Sequence, residues 1–353
     1  MKKKNLKSKI SFLFQICAWS FLMTGLVGLL LTICLACQLF LYAHSPLGDH
    51  NPCSVNVSKG ETFYHIAQIF ENHRLINNTD AFSILARVSK ADTQIKSGSY
   101  QLSPAMSPSF ILWQLTAGNV ELIKVVFPEG YTISLMAPLL EEANIVTQKE
   151  FLDYAYNPQT ARSLGIEADS LEGYLFPDTY YFSPLTSPSI VVKTMLKRFW
   201  TVFNQSFIHR ASELGFSIHD VVTFASIVEK ETGQPEERPM IASVFHNRLK
   251  RNMRLESDPT VIYGIQDFDG NLTREHLKTT TPYNTYRIKG LPQGPIANPG
   301  EEAIRATLYP DTTRYLYFVS KQDGTHHFST TLKSHNQAVD LYQRTKQSRP
   351  NNG

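Results

Sequence analysis

Residues 225–232, Ala225-Ser226-Ile227-Val228-Glu229-Lys230-Glu231-Thr232, place two carboxyl groups on an otherwise apolar run. A carboxyl group held against apolar side chains loses water, and its pKa rises. An acid still protonated near neutral pH is what cleavage of a glycosidic bond needs. On a helix over 220–232, at about 100° per residue, Val221, Phe224, Ala225, Ile227 and Val228 cluster on one side. Thr223, Ser226 and Lys230 fall opposite. Glu231 follows Ile227 by four residues and Phe224 by seven, so it projects along one flank of the apolar stripe. Glu229 lies about 200° away on the other flank. The two cannot share one site, and helix geometry favours neither. The plainer alternative is a helix-end Glu paired with Lys230 or Arg238, because charge runs usually mark a solvated face. Against it stand the apolar setting and nearby groups a sugar could use: Asn247, Arg248, Asp258, Tyr263, Asn284 and Tyr286.

Other chemistries find little support. No G-x-S-x-G, G-x-x-x-x-G-K, G-x-G-x-x-G or H-E-x-x-H string occurs. His326 and His327 are adjacent on a predicted strand and point to opposite faces, so they make a poor metal pair. Of four cysteines, Cys17, Cys34 and Cys37 lie in an apolar run and only Cys53 lies outside it. Neither an internal disulfide nor a zinc–thiolate site is expected. No metal and no cofactor are predicted. Five of the 34 basic residues fall in the first nine positions, and the remaining 29 face 31 acidic ones. That balance is no footprint for nucleic acid.

The elements that must position the acid begin with an anchor. Residues 10–43 carry no charge, and roughly 20 apolar residues suffice to span a bilayer. Lys2, Lys3, Lys4, Lys7 and Lys9 precede them, which keeps the N-terminus inside and everything after His44 outside. A cleaved signal peptide would have an apolar core of only about 7–15 residues. Residues 44–54 read as a polar linker. A strand-like Val55-Asn56-Val57, a Ser58-Lys59-Gly60 turn and Thr62 as helix cap then lead into a helical pattern from Ile66 to Glu71. The same order recurs seventy residues later, with Val125, Gly130, Thr132, Ala137 and Glu141 at matching places. The unit resembles a LysM module, a small βααβ fold that grips N-acetylglucosamine polymers.

Further along, 98–102 is strand-like and 107–115 is a helix with Pro108 in its first turn. Helices are predicted over 188–203 and 235–251. The 290–300 stretch holds three Gly and three Pro, so it is no regular element. A helix over 301–308 and a strand over 315–319 follow, and Asp323-Gly324 marks a hairpin turn.

The run 225–232 resembles the signature of the YceG-like endolytic murein transglycosylases. The likeness continues through Ile241–Leu249, Met253–Gly264, Tyr283-Asn284-Thr285-Tyr286, Gly290–Gly300, Tyr315–Val319 and His335-Asn336. It covers about 55–345, with the anchor also in place. It implies that the second Glu of the E-K-E element, Glu231, is catalytic. It also implies cleavage of the β-1,4 bond between N-acetylmuramic acid and N-acetylglucosamine inside a glycan strand, leaving a 1,6-anhydro end. The substrate's C6 hydroxyl then serves as nucleophile, so one acid suffices. Glu229, Glu172, Asp178 and Asp258 are candidates for a second. Tyr283, Asn284 and Tyr286 are candidates to stack on and hydrogen-bond the N-acetyl groups, the alternative being turn packing before the 290–300 loop. Glu172-Gly173-Tyr174 is expected to line the same cleft, with Glu229, Asn247 and Asp258 as further substrate contacts and the 290–300 loop as a groove wall.

The expected fold is α+β: a single N-terminal transmembrane helix, a small LysM-like domain and a mixed α/β catalytic domain. The divisions are 1–9 (cytoplasmic tail), 10–43 (span), 44–54 (linker), 55–122 (LysM-like), 123–345 (catalytic) and 346–353 (tail). The expected setting is an inner membrane with the catalytic part in a periplasm, acting on nascent peptidoglycan strands beside the peptidoglycan synthases. The rival reading is a non-catalytic, membrane-tethered peptidoglycan-binding or divisome scaffold.

Overall fold

The computed structural model of the chain describes residues 2–48 and 52–344. The expected tail at 346–353 and residues 49–51 of the expected linker lie outside them. The chain mixes helix and sheet, and it divides into two compact units, Met1–Glu121 and Leu122–Gly353.

The first unit begins with α1 (Lys2–His44), of which Met23–His44 is long and apolar enough to cross a membrane. Strand β1 (Cys53–Val57) leads to α2 (Phe63–Asn72) and α3 (Thr79–Val88). Strand β2 (Gly98–Leu102) then pairs antiparallel with β1, setting Val55 opposite Tyr100, and α4 (Pro108–Ala117) closes the unit. Phe70, Phe82, Tyr100, Leu102, Ile111 and Leu115 form its core. The stretch expected as a linker is short of slack. Leu47 N–H and Gly48 N–H donate to Pro104 O (2.8 and 3.3 Å), and Cys53 already belongs to β1.

The second unit opens with a similar local plan. Strand β3 (Ile123–Val126) leads through a turn at Gly130 into α5 (Ile133–Glu142) and α6 (Gln148–Ala155). After α7 (Pro158–Ser163), β4 (Thr179–Phe182) pairs antiparallel with β3, with Val125 opposite Tyr180. In both units the turn glycine takes a positive φ, +91° at Gly60 and +75° at Gly130. In both, the helix is capped by a threonine, Thr62 or Thr132, whose side chain accepts from the N–H three residues on.

The remaining elements build the bed of the acid. They are α8 (Pro188–Val202), α9 (Gln205–Leu214), α10 (Ile218–Glu231), a 3-10 turn (Pro235–Glu237), α11 (Arg238–Lys250), α12 (Asp258–Tyr263) and α13 (Arg274–Lys278). Then come α14 (Glu301–Leu308), a hairpin of β5 (Tyr317–Ser320) and β6 (His326–Ser329), and α15 (Leu332–Val339). Helix α10 starts sharply because Ser217 and Asp220 cap each other reciprocally. Two cores share it. Val221, Val222 and Ala225 enter one, and Phe224, Ile227 and Val228 enter the other. The side expected to be polar is therefore covered as well. Thr223 and Ser226 are buried, and Ser226 Oγ accepts from Ile296 N–H at 3.0 Å. Each buried apolar side chain adds roughly 1.5–3 kcal/mol, so the helix that carries the two acids is held from all sides.

Candidate active site

Helix α10 ends at Glu231, where Thr232 turns extended. The side chain of Glu231 opens into a cavity of about 490 Å³. One wall comes from the loop before α12 and from Tyr286; the other comes from β5, β6 and α15. Ser257 Oγ donates to Glu231 Oε1 at 2.5 Å. Ser257 is itself fixed by two buried threonines. Its N–H donates to Thr285 Oγ1 (3.0 Å), and its carbonyl accepts from Thr260 Oγ1 (2.7 Å). No ion pair closes on Glu231 among the described residues: Arg238 goes to Glu229 and Glu129, and Lys230 Nζ reaches Gly130 O. The helix-end pairing is thus not formed at Glu231; it is formed at Glu229, with Arg238 at 2.8 Å.

Burial pushes the Glu231 carboxyl up to about 7. The Ser257 hydroxyl pulls it down, the Asp258 charge raises it, and the Arg248 guanidinium lowers it again. Glu231 also sits at the C-terminal, negative end of α10, a further reason for a carboxyl there to keep its proton. Arg248 opposes weakly because it is already engaged, donating to Leu316 O (2.7 Å), Leu255 O (2.8 Å) and Glu256 Oε2 (3.1 Å). The arrangement holds a carboxyl that can give up a proton near neutral pH at the wall of an open, polar cavity.

Of the other expected site residues, the structure brings Asp258 and Tyr286 into this cavity, joined by a 2.7 Å hydrogen bond from the tyrosine hydroxyl. Several others stand elsewhere. Glu229 is buried; it accepts from Arg238 Nη2 (2.8 Å) and Gly300 N–H (3.0 Å) and ties the starts of α11 and α14 to α10. Glu172 is buried too. It accepts from Ile133 N–H, Asn298 Nδ2, Tyr263 Oη and Tyr156 Oη, at 2.9–3.4 Å. Desolvation lifts its carboxyl to about 7 against those four donors. Asp178 pairs with Arg198 at 2.6 Å. Tyr174 is buried and bonds His219 Nδ1 at 2.9 Å.

The amides are also spoken for. Asn247 Nδ2 donates to Thr313 O and Tyr315 O, both at 3.0 Å. Asn284 Nδ2 donates to His276 O, Leu277 O and Thr279 O, so it closes a turn and offers no donor to a sugar. Tyr283 lies against Tyr263 and lines a separate cavity of about 280 Å³ with His219 and Gln293. The 290–300 loop is largely buried against the protein and is no wall of the Glu231 cavity. A Cβ at Gly300 would fall 1.9 Å from Glu129 Oε1, so this glycine makes room for a side chain of the chain itself.

Sequence reasoning missed several residues around the acid. Ser257 had a usable signal, a hydroxyl immediately before Asp258. His326 had none as a partner of Glu237, 89 positions away. Its Nδ1 meets Glu237 Oε2 at 2.6 Å, and Glu237 Oε1 accepts from its N–H at 2.9 Å. This latch ties β6 to the turn after α10, and His326, Tyr317 and His335 line the cavity.

Comparisons with known proteins agree with one another. A model of the YceG-like family matches residues 55–341. The chain is 32% identical over 327 residues to the endolytic murein transglycosylase of Bacillus subtilis (strain 168), covering 86% of this chain and 89% of that protein. It is 28% identical over 318 residues to the endolytic murein transglycosylase of Streptococcus pneumoniae (strain D39), covering 81% of this chain and 57% of that longer protein. The crystal structure of a Listeria monocytogenes protein described as yceG-like superposes with a TM-score of 0.56 at 32% identity, over 81% of this chain and 98% of that one.

Proposed function

The chain belongs to the YceG-like family, and from that premise we propose that it is a lyase that cuts inside peptidoglycan glycan strands, with Glu231 as its proton donor. The observation that carries the reading is the Glu231 carboxyl, raised to about 7 and hydrogen-bonded by Ser257 at the wall of the 490 Å³ cavity. The relatives in Bacillus subtilis and Streptococcus pneumoniae support the same chemistry.

The reaction needs one acid. Glu231 gives its proton to the oxygen of the β-1,4 bond between N-acetylmuramic acid and N-acetylglucosamine, and the C1–O bond breaks as oxocarbenium character develops. The C6 hydroxyl of the muramic residue bonds to C1, and its proton passes to the Glu231 carboxylate. The products are a free N-acetylglucosamine 4-hydroxyl and a 1,6-anhydro end. A carboxyl titrating near 7 can serve in both directions at neutral pH. Water is not consumed, so no second carboxylate is needed to activate it, unlike in the paired-acid glycosidases.

The proposed setting follows from Met23–His44 as a membrane anchor, with the units after it on the outer, periplasmic face. There the enzyme would trim nascent strands beside the peptidoglycan synthases and end their elongation. A LysM-like role for residues 55–122 in holding the glycan is part of the proposal; the β1–α2–α3–β2 order supports it.

The test is the purified full chain incubated with uncrosslinked glycan. Anhydro-ended internal fragments that vanish in Glu231→Gln support the reading. Reducing-end fragments would make the protein a muramidase. Absence of any cleavage by the wild-type chain would leave the scaffold reading.

A further inference from the structure

Helix α4 (Pro108–Ala117) has no charged residue, and its polar ones are Ser109, Gln114 and Thr116; a helix this apolar buries more than one side. The core of the first unit covers only part of it. Ile111, Leu112 and Leu115 are buried, while Phe110 and Trp113 are 42% and 53% exposed with their rings stacked at 5.3 Å. Ala117, one turn on, continues the exposed face. The neighbouring helices α2 and α3 carry Glu71, Asp80 and Arg87.

The placement of α4 says what its bare face meets. The end of α1 packs against α3 and α4. Tyr42 reaches the core of the unit and donates its hydroxyl to Asn78 O at 3.1 Å, and Ala43 is buried. Leu47 and Gly48 are pinned to Pro104 O, just ahead of α4. The uncharged run 10–43 is longer than a bilayer needs, and Phe40 and Leu41 stay 64% exposed up to the turn that meets the unit, so the apolar surface of α1 runs to the edge of the unit. With no slack between the end of α1 and the unit, the anchor reading sets the start of α4 at the level of the membrane surface.

We propose that the Phe110–Trp113 face of α4, with exposed Leu47 near its start, is seated in the headgroup layer of the bilayer. Aromatic rings favour that layer. An interfacial helix sinks its apolar side about 5–10 Å into it, enough to cover both rings. The first unit then rests on the lipid at a fixed height. The inference rests on the reading of Met23–His44 as an anchor.

The chain has three tryptophans, Trp19, Trp113 and Trp200, so each can be observed alone in the full chain reconstituted in phosphatidylcholine–phosphatidylglycerol nanodiscs. Trp19→Phe with Trp200→Phe leaves Trp113; Trp113→Phe with Trp200→Phe leaves Trp19, in α1. With lipids brominated high on their acyl chains, Trp113 emission is expected to be blue-shifted and quenched several-fold more by bromolipid than by aqueous acrylamide. Phe110→Ser should weaken that quenching. If Trp19 is quenched by bromolipid and Trp113 only by acrylamide, the seat on the membrane is refuted and the anchor stands. If the full chain fails to float with bilayers on a density gradient, the anchor reading falls and takes this inference with it. Shielding of Trp113 that appears only on adding glycan fragments would assign the face to sugar and overturn the proposal.

Discussion

Ser257 and Glu231 come from elements 26 residues apart, yet the serine hydroxyl donates to the carboxyl at 2.5 Å. The contact opposes the burial that keeps the proton on Glu231. Ser257→Ala removes a donor to the charged form, so the Glu231 pKa should rise above about 7. The alkaline limb of the rate profile, where the acid loses its proton, should then move to higher pH. Loss of orientation should also lower kcat/KM, by up to about 100-fold. A pH profile on defined glycan reads both; a limb that moves down contradicts the assignment.

Asp258 acts on the same carboxyl with the opposite sign. Its charge raises the Glu231 pKa, as like charges do. Asp258→Asn keeps an oxygen for the Tyr286 hydroxyl, now 2.7 Å away, so the wall should keep its shape. The alkaline limb should move to lower pH, the reverse of the Ser257 variant. The same profile checks it, and equal shifts in both variants would mean that the titrating group is not Glu231.

The two acids of the E-K-E element should separate cleanly by substitution. Glu231→Gln should cut the cleavage rate by roughly 10²–10⁴-fold while leaving the melting temperature unchanged or higher, because a half-buried carboxyl is replaced by an uncharged group of its shape. Glu229→Gln leaves Arg238, itself buried, with only Glu129 at 3.4 Å. Breaking a buried pair costs about 3–5 kcal/mol, so this variant should melt earlier, with anhydro ends still formed by the folded fraction. Melting curves and product analysis on both variants decide it; a stable, inactive Glu229→Gln would exchange the roles.

What was legible in the sequence and what was not follows from range. The helix start at Ser217–Asp220, the threonine caps at Thr62 and Thr132, and the glycine turns are local events, readable from a few adjacent residues. Helix geometry alone did not choose between Glu229 and Glu231; the family resemblance did. Arg238 was in view as a partner, but Gly300 and Ser257 were not, because chain connectivity does not place them beside the two acids. Asn284 and Asn247 looked like sugar contacts because a free amide and a committed one are written with the same letter. Only the carbonyls of 276, 277, 279, 313 and 315 show that their donors are taken. The polar side of α10 was hidden for a related reason: Ser226 is buried by Ile296, seventy positions away.

Glu172 should prove a positioning residue. Through Tyr263 it holds α12, whose first residue is Asp258, and through Asn298 it holds the 290–300 loop. Glu172→Gln turns one accepting oxygen into an N–H₂ facing donors, an unsatisfied contact that costs about 1–3 kcal/mol. The melting temperature should fall and kcat should drop with it, while the products keep their anhydro ends. A change in product chemistry would instead place Glu172 at the reacting bond.

Stability itself should depend on pH in an unusual direction. Glu231 and Glu172 both have folded pKa values raised to about 7 from 4.5. Between those limits the folded protein binds more protons than the unfolded chain, so stability falls as pH rises through the window and levels off above about 7. A shift of this size is worth up to about 3 kcal/mol for each group. The full chain in detergent should therefore melt at a higher temperature at pH 5 than at pH 7.5. Glu231→Gln should remove about half of that difference by relieving the cost at the alkaline end, which leaves the pH 5 value nearly untouched. If the variant instead loses stability at pH 5, the proton on Glu231 is not what burial preserves there.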